Sequence, residues 1–157
     1  PEEYLHVMER KAADVEAHTR IGAIIGEGTE EEIESLGHYG RLLGTILILA
    51  DDIEDLLDID ELKHRIANEH LPLPLLHVLQ DSRIKSQILP ILSKKTLSKK
   101  AVQKISEITY ENEETYLSRL ADELIRKSYP AIEGLTGVKG NLQLLISSVV
   151  VFPKVTG

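Results

Sequence analysis

Three aspartates in five positions, Asp51, Asp52 and Asp55, close a long apolar run from Leu42 to Ala50. At the helical step of 100° per residue they fall within an arc of about 100°. Like charges on one helix face repel, by roughly 0.2–0.5 kcal/mol per i,i+4 pair at the surface and by more where burial lowers the dielectric. A hard divalent cation such as Mg²⁺ would offset that repulsion, since it binds carboxylate oxygens and phosphate oxygens alike. A bare acidic cluster reads equally well as a solvated helix end. In metal-free buffer, neutralising the cluster, as in Asp55→Asn, is expected to raise the melting temperature.

No other chemistry has a comparable residue set. The six histidines contain no His-x-x-x-His pair that would start a zinc site. A nucleophile elbow and a phosphate-cradling Gly-x-x-x-x-Gly-Lys loop are both absent from the sequence. The absence of cysteine excludes disulfides and thiolate chemistry and is compatible with a cytoplasmic location. A net charge of −8 argues against nucleic acid as a partner. No apolar run reaches the ~20 residues needed to cross a bilayer, and the first residues do not resemble a signal peptide. Because the chain opens with Pro1 instead of Met, it reads as a processed or trimmed product.

The elements that must position the acids read as helices. Leu5, Met8, Ala12 and Val15 repeat at helical spacing, and Ile21, Ala23, Ile24 and Ile25 continue the stripe to a break at Gly26-Glu27-Gly28. Thr29 with Glu32 forms a capping box that opens a second helix running to about Leu57. This helix is apolar on nearly all sides between Leu42 and Ala50, as a central helix would be. Gly37, Gly40 and Gly44 lie within it, where each costs about 1 kcal/mol against Ala, and imply close approach of a neighbouring helix. Beyond it, Asp58 to Leu71 is polar and mixed; Lys63, His64, Arg65 and His70 there read first as residues of a solvated loop and second as substitute cations for the acids. Pro72-Leu73-Pro74 forces an extended turn, and Leu75 to Leu79 resumes a short helix.

Ile84 to Leu92 carries an apolar stripe cut by Pro90. Ala101 to Ile108 and Tyr116 to Ile125 read as two further helices separated by a polar joint, Tyr110 to Thr115. Pro130 kinks or ends the latter helix, and Gly134, Gly137 and Gly140 mark a loop. Asn141 is the expected N-cap of a final segment whose tail, Val149 to Phe152, suits a strand or a frayed apolar end. One domain spanning residues 1–157 is expected from the length.

Gly40-Arg41-Leu42-Leu43-Gly44, the Asp51-Asp52-Ile53-Glu54-Asp55 cluster and Pro72-Leu73-Pro74-Leu75-Leu76 together resemble the trans-isoprenyl diphosphate synthases, or polyprenyl synthetases. The likeness is to the C-terminal half of that family, around its second aspartate-rich motif, with Tyr4 and Lys11-Ala12 standing where the family has a Tyr and a Lys-Thr pair. It implies an all-α fold, a helical bundle of the isoprenoid synthase type, here a partial bundle. It also implies Mg²⁺-dependent head-to-tail condensation of isopentenyl diphosphate with an allylic diphosphate. Asp51, Asp52 and Asp55 would be the metal ligands and Lys11 would contact the diphosphate. A homodimer, or a heterodimer with a synthase subunit, is the implied assembly.

The departures are as informative. The first aspartate-rich motif is not present in this sequence, so the resemblance assigns no catalytic residue. Ala12 replaces Thr, Leu47-Ile48 replaces Phe-Gln, and Glu69-His70 stands where Gly-Lys precedes the proline in a shortened loop. Three readings follow: a prenyltransferase portion inactive alone, a non-catalytic or regulatory subunit, or a helical interaction domain unrelated to isoprenoids.

Overall fold

The computed structural model describes residues 1–135 and 137–149. All eight elements among them are α-helices: α1 (Glu2–Lys11), α2 (Ala13–Ile25), α3 (Glu30–Leu57), α4 (Ile59–Asn68), α5 (Leu73–Val78), α6 (Ser82–Leu92), α7 (Lys99–Ala131) and α8 (Lys139–Val149). The all-α expectation holds. They group into two compact units, one formed by Asp51–Leu117 with Pro1, the other by the described residues of 2–50 and 118–149. Both α3 and α7 run through the unit boundaries without a break.

In the second unit, α1 and α2 are one apolar stripe interrupted at Ala12. Ala12 is fully buried, and a Cβ added at Gly44 would meet the Ala12 Cβ at 2.9 Å and the Val15 Cβ at 3.1 Å. A Cβ at Gly40 would collide with Thr19, and one at Gly37 with the Arg20 guanidinium. The small-residue face of α3 therefore lies directly against α2 and the α1–α2 break, as the glycine spacing requires. The capping box forms: Glu32 N donates to Thr29 Oγ1 at 3.3 Å and Thr29 N to Glu32 Oε2 at 2.8 Å. An ionic cluster ties the same helices together. Arg20 bridges Glu16 and Glu34, while Arg41 pairs with Glu16 and donates to the Glu9 carbonyl. Burial pushes the Glu16 carboxyl up, but hydrogen bonds from Arg20 and Arg41 outweigh it and hold the group below its ordinary value. Tyr39, buried on α3, donates to the Leu142 carbonyl of α8 at 2.8 Å.

The first unit packs α4, α5, α6 and the first half of α7 around the end of α3. Its core joins Leu56, Leu62, Leu75, Ile88, Val102 and Ile105 with Tyr110. Four expectations need correction here and at the chain's end. Asp58 to Leu71 is not a loop: Asp58 caps α4, accepting from Asp60 N and Glu61 N at 2.9 and 3.0 Å. Pro90 does not cut the α6 stripe, because it falls in the last turn, where it forgoes a single backbone bond. Tyr110 to Thr115 is not a joint, because α7 is one helix of 33 residues. Its polar stretch buries Tyr110 and Glu113, so polarity there marks an internal contact. Finally, α8 begins at Lys139, which places Asn141 inside the first turn and not at the cap. Of the expected strand or frayed end, Val149 to Phe152, Val149 is the last residue of α8, and the other three lie outside the described residues.

Candidate functional site

The last two turns of α3 present the three acids to different surroundings. Asp51 is exposed, Asp52 is buried and Asp55 is half-buried. Asp51 has no side-chain hydrogen bond or ion pair among the described residues. Its carboxyl lies above the ordinary 3.8, first through partial desolvation and then through the charges of Asp55, Glu54 and Asp52. The repulsion inferred from spacing is therefore present at this residue.

Its two neighbours are neutralised from within the protein. Arg65, on α4, donates through Nη1 to Asp52 Oδ1 at 2.7 Å and to Asp55 Oδ2 at 2.6 Å. The side chains of Arg65 and Asp52 are 9% and 4% exposed, so this is a buried, charge-assisted bridge and not a surface pair. The second Asp52 oxygen accepts from Leu73 N at 2.8 Å, at the start of α5. Arg65 Nε donates to the His70 carbonyl at 3.1 Å, which orients the guanidinium fork. The extended Pro72 (ψ 152°) directs Leu73 N toward the acid, so the proline-rich turn is part of the same arrangement. Arg65, expected in a solvated loop, is the one substitute cation from that stretch found on the acids. With its guanidinium in place, Asp55→Asn would weaken an attraction, which reverses the expected gain in melting temperature.

The three carboxylates are the right kind of donor for Mg²⁺, but their arrangement does not fit it. Both Asp52 oxygens and one of Asp55 are already engaged, and no group of three or more His, Cys, Asp or Glu residues among the described ones is placed to hold a metal. Lys11 lies in the other unit, exposed at the C-terminal end of α1. A cleft of about 650 Å³ in that unit is lined by Arg10, Arg41, His6 and His38 with Glu3 and Glu9, and Lys11 is not among its lining residues. Of the apolar pair in place of Phe-Gln, Leu47 is exposed and Ile48 is half-buried.

Residue-by-residue reading missed a second polar cluster. His77, on α5, shares a 2.6 Å hydrogen bond with buried Glu113 and stacks on Tyr116, with ring centroids 3.6 Å apart. Burial raises the Glu113 carboxyl, against the opposing pull of His77. No spacing in the sequence links residues 36 positions apart. For α4, by contrast, a signal was present: Asp58 ahead of Asp60-Glu61 is a helix start, and Ile59, Leu62 and Ile66 keep helical spacing.

Comparison with known proteins agrees with the landmarks. The polyprenyl synthetase family model matches residues 1–109. Geranylgeranyl pyrophosphate synthase 12, chloroplastic, of Arabidopsis thaliana is 46% identical over 59 residues, which are 38% of this chain and 16% of that protein. Geranylgeranyl pyrophosphate synthase 11, chloroplastic, of the same plant is 45% identical over 56 residues, 36% of this chain and 15% of that protein. The chloroplastic geranylfarnesyl diphosphate synthase of Leucosceptrum canum is 39% identical over 69 residues, 44% of this chain and 19% of that protein. The matched stretches thus span under a fifth of each relative's length. No solved structure matches. No described helix is long and apolar enough to cross a membrane. A family match over residues 1–109 removes the reading as a helical domain unrelated to isoprenoids, and the chain belongs to the polyprenyl synthetase family.

Proposed function

We propose that this chain is the portion of a prenyltransferase that carries the second aspartate-rich motif, and that it is inactive by itself. The reaction is head-to-tail condensation of isopentenyl diphosphate with an allylic diphosphate. The observation that carries the second half of this reading is the Arg65 bridge, which leaves Asp52 and Asp55 already neutralised. Asp51, Asp52 and Asp55 are the proposed Mg²⁺ ligands, in an arrangement other than the one seen here, and Lys11 the proposed diphosphate contact. Departure of diphosphate builds negative charge that must be met by preorganised positive groups, and each one lacking can cost about 3–4 kcal/mol, or 10²–10³ in rate. With the facing motif not in this sequence and its own acids held by Arg65, turnover by the chain alone is not expected.

The partner is a second synthase polypeptide, in a homodimer or heterodimer. A single folded domain over residues 1–157 remains our reading of the two units. The composition is compatible with the cytoplasm, whereas the chloroplastic relatives favour a plastid. Import of the tagged full-length gene product into isolated plastids separates these two.

The second reading, a non-catalytic or regulatory subunit, is favoured by the same bridge and by Leu47-Ile48 in place of a polar pair. Incorporation of labelled isopentenyl diphosphate tests both readings, using the chain alone, the chain with a polypeptide that carries the family's first aspartate-rich motif without the second, the chain with a competent synthase subunit, and each pair carrying Asp51→Ala. The first predicts no turnover alone, and turnover with the first-motif polypeptide that Asp51→Ala abolishes. The second predicts no turnover with the first-motif polypeptide, and a pair with the competent subunit that is active and indifferent to Asp51→Ala. Robust turnover by the isolated chain would overturn both.

A further inference from the structure

Arg65 joins the two inner acids of the motif through one nitrogen. Its Nη1 lies 2.7 and 2.6 Å from one oxygen of each acid, so a single nitrogen bridges both carboxylates as a shared divalent ion would. A Mg²⁺ ion bound to the same two oxygens needs them at about 2.0–2.1 Å. It would then place two positive charges beside the guanidinium in a site where Asp52 is 4% exposed. The two cations exclude one another.

We propose that Arg65 is the resident counter-cation of the acidic motif, which closes it to free metal ions. Arg65 would give up Asp52 and Asp55 only in exchange for the oxygens of a diphosphate, and the freed acids would then be open to the metal it carries. This deepens the reading of Asp51, Asp52 and Asp55 as a metal motif and rests on it. A free divalent ion is a poor competitor, because displacing Arg65 strips a buried guanidinium of both its carboxylate contacts. A diphosphate is a good one, because it brings pairs of anionic oxygens that guanidinium engages bidentately. The exposed Asp51, with no side-chain hydrogen bond or ion pair among the described residues, is the point of first contact.

Mn²⁺ binding, followed by electron paramagnetic resonance with and without inorganic diphosphate, tests this on the wild type, Asp51→Ala, Arg65→Gln and Arg65→Gln/Asp51→Ala. If the bridge holds the wild type closed for all but a few per cent of the time, Arg65→Gln binds Mn²⁺ about 10–100-fold tighter without diphosphate. Asp51→Ala removes that gain, and diphosphate tightens the wild type far more than it tightens Arg65→Gln. Equal Mn²⁺ affinity in wild type and Arg65→Gln, weakened in both by Asp51→Ala, overturns the bridge's role and leaves the metal motif standing. Absence of Mn²⁺ binding by every form, with and without diphosphate, overturns both. Should Arg65→Gln fail to fold, the Arg65 Nε–H nitrogen resonance of the wild type decides. It shifts when Mg²⁺ and inorganic diphosphate are added together; an unmoved resonance while metal binds overturns the exchange.

Discussion

At the scale of single residues, the acidic cluster shows what spacing reveals and what it hides. Repulsion among carboxylates on one helix face was legible, and it survives at Asp51. The cation that quenches it at Asp52 and Asp55 was not, since nothing in a polar stretch tells which basic residue turns inward. Two stability predictions follow, of opposite sign. Arg65→Met keeps most of the aliphatic stem but leaves the buried Asp52 carboxylate without its guanidinium, so it should destabilise by about 3–5 kcal/mol in urea titration. Replacing Asp51 acts the other way. Its folded-state pKa is raised above 3.8, so its favourable contribution exists below that value, in the protonated form. The contribution is lost as pH rises through the raised pKa. Asp51→Asn should therefore raise the melting temperature at pH 7, with the gain fading as the pH falls toward 3.8. A gain that persists unchanged in acid would mean that charge is not its cause.

At the scale of elements, helix identity was readable wherever one face was apolar and the other polar. The reading failed where polar residues were buried or a cap was overlooked. Tyr110 to Thr115 looked like a joint because Glu111, Asn112, Glu113 and Glu114 are polar, yet Glu113 faces His77 and α7 runs on. The glycines of α3 gave the clearest structural forecast, and they make a paired prediction with Gly22. Gly44→Ala gains helix propensity but drives a methyl into Ala12 and Val15. Over-packing of this kind costs about 1–3 kcal/mol, so a net loss is expected. Gly22 lies inside α2 with nothing within 4 Å of an added Cβ, so Gly22→Ala should stabilise by roughly 0.5–1 kcal/mol. Denaturant midpoints of the two variants should move in opposite directions. Movement in the same direction would mean that the α2–α3 contact is looser than the structure shows.

At the scale of the whole molecule, the family could be read from three landmarks, although the division of contacts into two units could not. That division follows from which helices gather around each half of α3 and α7, and hydrophobic periodicity carries no such information. The boundaries fall at Ala50/Asp51 and Leu117/Ser118, inside α3 and α7. Melting one unit would require ending both helices mid-turn, with four unsatisfied backbone groups exposed at each new terminus. The two units should consequently unfold in one cooperative step, which is the physical content of calling the chain a single domain. Ile88→Ala, in the core of the first unit, and Ile46→Ala, fully buried in the second, each remove about 2–5 kcal/mol of packing. Circular dichroism should show either substitution lowering a single transition, and amide exchange should show protection falling in both units by the same free energy. If Ile88→Ala splits the melt into two steps, or lowers protection only within 51–117, the units are independent and the chain is two domains sharing helices.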